Sequence, residues 1–134
     1  MDKKSQENLE SAEMLIKSGK YNSSIHCSYY AVFQYMKHAL CNSPQIPMSY
    51  SAQNRMTSCG HSHVKILRAL KKRIVRVDGN IQDASLIGNK IELLKDNRVH
   101  ADYSENFAFN KADSENCLIE AISIVKSIKT KFNL

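Results

Sequence analysis

The sequence predicts an all-α fold, an up-and-down bundle of about five helices that forms one domain over residues 1–134. Apolar residues recur at spacings of three and four in five segments, no alternating strand pattern persists, and the glycines fall mostly between the segments. With 134 residues and 43% hydrophobic composition, the chain is long enough for one buried core and too apolar for a disordered protein. Short connections favour antiparallel packing of neighbouring helices.

The first two helices are predicted over about Lys3–Lys17 and Asn22–Cys41. The first ends before Gly19 and carries one apolar stripe, formed by Leu9, Ala12 and Ile16. The inward positions of the second are Ile25, Tyr29, Val32, Phe33, Met36 and Leu40. An uncharged loop with both prolines follows, and its lack of charge predicts partial burial or contact with a partner.

The third helix, predicted over about Ser62–Val77, combines an apolar stripe with a basic face. The stripe consists of Val64, Leu67, Leu70, Ile74 and Val77, and the basic face of Lys65, Arg68, Lys72 and Arg76. Seven basic residues and no acid lie between positions 55 and 76, so the rest of the chain carries −1 of the formal charge of +6. The face is either a solvated surface or a site for phosphate or an acidic partner.

The fourth helix, predicted from an Asn80 cap to about Tyr103, has a charged pair on its buried stripe. The stripe begins with apolar residues and ends in Arg98 and Asp102, after Ile87, Ile91 and Leu94. Buried charge is costly unless it is paired, so Arg98 and Asp102 are expected to pair with each other or to close a cleft together. The pair is then either part of the scaffold or part of a binding site.

A second stripe on the same helix consists of Leu86, Leu93 and His100, spaced seven residues apart. It predicts contact with another helix of the bundle, the reading favoured for the leucines, or a dimer seam. His100 lies about 200° around the helix axis from Arg98, so a straight helix does not bring the two together. The fifth helix is predicted over about Lys111–Phe132, with an inward stripe of Cys117, Ala121, Ile124, Val125, Ile128 and Phe132.

Signals for a metal, a thiol nucleophile or a membrane are weak. The spacing of Cys59, His61 and His63 resembles that of metal ligands, but a zinc site needs about four ligands and no second cluster stands nearby. No cofactor is therefore expected, and His61 or Ser62 is an alternative cap of the third helix. Cys27 beside His26 lacks a third, orienting group. No apolar run is long enough to span a membrane and none follows the amino terminus, which predicts a cytoplasmic protein with reduced thiols.

Three motifs, in the right order, resemble those of HEPN domains (higher eukaryotes and prokaryotes nucleotide-binding). Residues Gly19–Ile25, Ser28–Phe33 and Lys37–Leu40 resemble the G-x-Y-x-x-A/S…YYAxF…KALL pattern. Gly60–Val64 is similar to the T/S-H-x-x-V opening of the third helix, and Arg98–Tyr103 to the R-x-x-A-D-Y ending of the fourth. The resemblance covers nearly the whole chain.

The resemblance implies a helical bundle, often a homodimer, that binds RNA or nucleotide. It also implies one half of a toxin–antitoxin-like pair with a minimal nucleotidyltransferase. The binding residues would be Arg98, Asp102 and Tyr103, together with the basic face. One alternative is a protein interaction or dimerisation module without catalytic activity.

A second alternative is a metal-independent ribonuclease with a non-standard motif. The usual R-x(4–6)-H motif is absent, because Tyr103, Ser104 and Glu105 stand where its histidine is expected. In this alternative Arg98 would stabilise charge developing on the phosphate, and His100 or His61 would act as acid and base.

Overall fold

The computed structural model describes residues 2–106 and 108–134, and the regular structure in these ranges is helical. The six helices are α1 (Lys3–Lys17), α2 (Tyr21–Cys41), α3 (Tyr50–Thr57), α4 (Ser62–Asp78), α5 (Ile81–Tyr103) and α6 (Lys111–Phe132). The predicted all-α class is confirmed, but the described residues form six helices rather than about five. In the described part of the chain, no helix combines the length and apolarity that a membrane span requires.

The additional helix, α3, lies in the segment that was expected to be a loop. Its first turn is capped by Ser49, whose hydroxyl accepts a hydrogen bond from the backbone N–H of Ala52 at 3.1 Å. Its one buried residue is Gln53, which donates to the backbone carbonyls of Lys37 and Met48 at 2.9 and 3.0 Å. A helix of eight residues that buries a single polar side chain has no apolar stripe to reveal it.

Side-chain caps set several of the other helix boundaries. Asn80 accepts from the N–H of Asp83 at 3.0 Å, which confirms the predicted start of α5. Asn110 and Asp113 form a reciprocal capping box at the start of α6. The suggested cap at α4 is wrong, because His61 occupies the cap position in a left-handed conformation (φ 56°) and its side chain makes no capping hydrogen bond.

The central helix of the bundle is α2, which packs against all five others. The predicted inward stripes of α2 and α6 are confirmed, since every residue assigned to them is buried. Two buried serine hydroxyls join α1 to α2: Ser24 donates to the carbonyl of Ala12 at 2.9 Å, and Ser5 to that of Ala31 at 2.8 Å. These small side chains satisfy their polar groups on the neighbouring backbone, which lets the two helices lie close together.

Two predictions about inward-facing residues are wrong. Val64 was expected in the core but is 45% exposed, because His63 makes the aromatic contacts with the core at this turn of α4. Leu86 and Leu93 were expected mainly to contact another helix of the bundle, but they are 55% and 66% exposed. The buried stripe of α5 contains Ile87, Ile91 and Leu94 instead, and α5 packs against α2, α4 and α6.

Candidate RNA- or nucleotide-binding site

The predicted pair at the end of α5 is present. Arg98 Nη1 lies 3.4 Å from Asp102 Oδ2, and the Arg98 side chain is only 9% exposed. The guanidinium carbon lies over the rings of Tyr29 and Tyr30, 5.2 and 5.7 Å from their centroids. Arg98 Nε is buried without a hydrogen-bond partner among residues 2–106 and 108–134. A carboxylate and two aromatic faces therefore hold this cation at the edge of the core.

A third group, His26 on α2, completes the polar cluster. Its Nδ1 lies 2.9 and 3.0 Å from the two carboxylate oxygens of Asp102, whose side chain is 19% exposed. The imidazole also contacts the ring of Tyr30, at a centroid distance of 4.6 Å and an interplanar angle of 31°. The sequence reasoning missed His26, because it lies 76 residues from Asp102 and no local spacing connects them. An anion that binds Arg98 would have to share it with Asp102 or displace this carboxylate.

The other residues predicted at this site are exposed. His100 is on the exposed side of α5 while Arg98 is buried, so one chain does not juxtapose them as an acid–base and phosphate-binding pair. His100 Nδ1 instead lies 3.3 Å from the Ser104 hydroxyl. Tyr103 is the last residue of α5 and is 74% exposed. Any joint action of Arg98 and His100 would need two copies of the chain.

Beside this cluster, Tyr29 connects α2 to the first turn of α4. Its hydroxyl lies 2.7 Å from Nδ1 of His63, and the His63 ring stacks on Phe33 at 4.3 Å. Burial, together with the nearby cations Arg98 and Lys95, lowers the pKa of His63 to about 4. Burial raises the pKa of Tyr29, so its hydroxyl keeps its proton and shares a hydrogen bond with the neutral ring.

The weaker candidates find no support in the geometry. Nδ1 of His63 is occupied by Tyr29, and no group of three or more His, Cys, Asp or Glu residues is placed to hold a metal ion in the described ranges. Burial and the Asp102 carboxylate raise the pKa of Cys27, which keeps it a thiol rather than a nucleophilic thiolate.

The four residues predicted to form the basic face all line one groove. This basic groove, of about 440 Å³, lies between α4 and the segment containing α3. Its walls contain Met48, Met56 and Ala69, and its cations are Lys65, Arg68, Lys72, Arg73 and Arg76. Within the described residues, none of these five cations takes part in a salt bridge.

Arg73 was not predicted at the site because it falls next to the apolar stripe. It is 9% exposed, and its Nη1 lies 3.5 Å from the hydroxyl of Ser43, a neutral partner. A buried cation without a carboxylate favours the binding of an anion next to it. The basic groove therefore combines exposed positive charge with a fixed cation in its wall.

The described residues form a small all-helical domain with an electropositive groove. The chain belongs to the HEPN domain family, whose pattern matches residues 3–131. A comparison with curated proteins gives no match, and a comparison with solved structures gives none either.

Proposed function

We propose that this HEPN protein binds RNA through the basic groove, with the phosphate backbone lying along Lys65, Arg68, Lys72 and Arg76. The observation that carries the proposal is the set of five cations in one groove with no salt bridge among the described residues. Each phosphate contact releases condensed counterions, so such a surface gives strong, salt-dependent binding. Arg98, Asp102 and Tyr103, at the end of α5, would provide a second contact for the same ligand. The protein would act in the cytoplasm.

The test is the affinity for a labelled single-stranded RNA at several salt concentrations. The variant Lys65→Glu/Arg76→Glu should lower the slope of log K against log salt by about 1.4, the value for two lost contacts to a single strand. The matched control is Lys126→Glu/Lys129→Glu, which reverses two exposed charges on α6 and should leave the slope unchanged. Equal slopes for both variants would contradict the proposal.

A second candidate is an interaction module, favoured by the exposed Leu86 and Leu93 on α5. Two shallow grooves of about 360 and 350 Å³ run between α5 and α6, one beside each leucine and both beside Lys90. The partner would be a second copy of the chain or a minimal nucleotidyltransferase, as in a toxin–antitoxin-like pair. Co-purification with a nucleotidyltransferase encoded beside this chain, lost in Leu86→Glu/Leu93→Glu, tests the second partner.

Ribonuclease activity stays a third proposal, with Arg98 and the His100 of a second copy as its groups. The test is incubation of the purified protein with total RNA in the presence of a chelator, run beside Arg98→Ala and His100→Ala. Cleavage that both substitutions abolish would support it, and intact RNA would contradict it.

A further inference from the structure

A small pocket lies next to the basic groove, between α2, α4 and α5. Its volume is about 180 Å³, and its apolar and aromatic lining comes from Tyr29, His63, Val64, Leu67 and Ile91. Pockets for whole drug-sized ligands measure about 300–1,000 Å³. This pocket therefore has room for one ring system rather than for a complete nucleotide.

The polar groups at the pocket suit the edge of a nucleobase. His63 Nε2 has no hydrogen-bond partner among the described residues and is not one of their fully buried polar atoms, so it is available to form a hydrogen bond with a ligand. Glu92 also lines the pocket and offers a carboxylate acceptor. Nucleobases carry both acceptors and donors on one planar ring, and they stack on aromatic side chains.

Arg68 joins the pocket to the basic groove, because its side chain lines both. Lys71 and Lys95 add two further cations around the pocket. A nucleotide with its base in the pocket would place its phosphate near these cations, and the strand would continue past Arg68 into the groove. The pocket for a base and the basic groove for the phosphate backbone thus form one continuous surface.

We infer that this chain recognises single-stranded RNA by inserting one unpaired base into the pocket formed by Tyr29, His63, Val64, Leu67 and Ile91. The inference rests on the proposed function and specifies its substrate class. A base within a duplex would first have to leave its stack and its pair, which costs a few kcal/mol. Duplex RNA retains only the backbone contacts, so it binds more weakly.

The test compares a short unstructured RNA containing one 2-aminopurine with the same RNA annealed to its complement. The single strand should bind about tenfold tighter or more, because the duplex has to unpair a base, and the 2-aminopurine fluorescence should be quenched as it stacks. Val64→Trp should fill the mouth of the pocket, since Val64 is 45% exposed, and should reduce single-strand binding to the duplex level. The matched control is Ile81→Trp, at a residue that is 68% exposed and lines neither the pocket nor the groove.

The outcomes separate this inference from the proposed function. If single strand and duplex bind equally and Val64→Trp has no effect, base insertion is overturned while groove binding stands. If neither RNA binds, or if Lys65→Glu/Arg76→Glu leaves both affinities unchanged, the proposed function fails as well. Thermal melting of both tryptophan variants, expected to match the wild type, shows that lost binding is not lost folding.

Discussion

The Tyr29 hydroxyl is hydrogen-bonded to Nδ1 of His63 at 2.7 Å, and this contact joins the centre of α2 to the start of α4. Tyr29 also faces Arg98, whose guanidinium carbon is 5.2 Å from the ring centroid. One buried tyrosine thus separates a neutral imidazole from a cation. Protonation of His63 would make both ring nitrogens donors and place a second positive charge near Arg98.

The first prediction is that His63 makes the protein less stable in mild acid. The pKa of His63 is about 4 in the folded chain against 6.5 in the unfolded chain, so between these values the unfolded state binds the extra proton. The free energy of unfolding is therefore not reduced by His63 above pH 6.5, and it decreases as the pH drops from 6.5 towards 4. The slope is below about 1.4 kcal/mol per pH unit, since the half-exposed ring is partly screened.

The measurement is urea unfolding from pH 4 to pH 7 for the wild type and for His63→Gln. Carboxyl groups also titrate in this pH range. The quantity of interest is therefore the difference in unfolding free energy between the two proteins. This difference should shrink as the pH falls, because the glutamine does not titrate. A difference that is constant over the range would show that His63 is not held neutral.

Local patterns predicted most of the fold, but the long-range contacts were beyond them. The Asn80 cap and the Arg98–Asp102 pair are three- and four-residue relationships, which helical geometry fixes. The contact of Tyr29 with His63 spans 34 residues, so it depends on how α2 and α4 pack. The exposure of Leu86 depends in the same way on which stripe of α5 the other helices cover. Spacing within one helix carries no signal for either.

The second prediction separates scaffold from site at Arg98. If the Arg98–Asp102 pair is part of the scaffold, Asp102→Asn should destabilise the protein by about 2 kcal/mol. The substitution leaves the 9%-exposed guanidinium without its carboxylate. Arg98→Ala should cost at least as much, since it also loses the contacts with Tyr29 and Tyr30.

The double variant Arg98→Ala/Asp102→Ala decides between the two roles by urea unfolding and RNA affinity. Destabilisation smaller than the sum of the single variants would show a stabilising pair. Near-wild-type unfolding combined with lost RNA binding would instead identify Arg98 as a binding residue.

The third prediction concerns the glycine in the middle of α5. A Cβ on Gly88 would lie 2.6 Å from Cδ and 3.4 Å from Cγ of Lys71, so the lysine stem of α4 packs across the glycine. Gly88→Ala should stabilise α5 by about 1 kcal/mol through its higher helix propensity. When Lys71 is present, the displacement of its side chain should offset this stabilisation. In a Lys71→Ala background the gain should reappear, as measured by thermal or urea unfolding. Equal effects in both backgrounds would show that the two residues are not coupled.

The fourth prediction is that Leu86 and Leu93 form a contact between two copies of the chain. Both side chains are more than half exposed, and they follow one face of α5 at seven-residue spacing. Pairing this face with the same face of a second copy across a two-fold axis would bury the two leucines of each copy. Sedimentation at micromolar concentration should therefore give twice the chain mass of 15.2 kDa.

Leu86→Glu/Leu93→Glu should convert this dimer to a monomer without lowering the melting temperature of the chain, since the leucines contribute little to its own core. The control Met14→Glu/Ile46→Glu replaces two other exposed apolar residues, at 68% and 45% exposure, and should leave the dimer intact. If the wild type sediments as a monomer throughout the range, the two leucines do not form a contact between copies. Any site that combines Arg98 with the His100 of a second copy is then excluded as well.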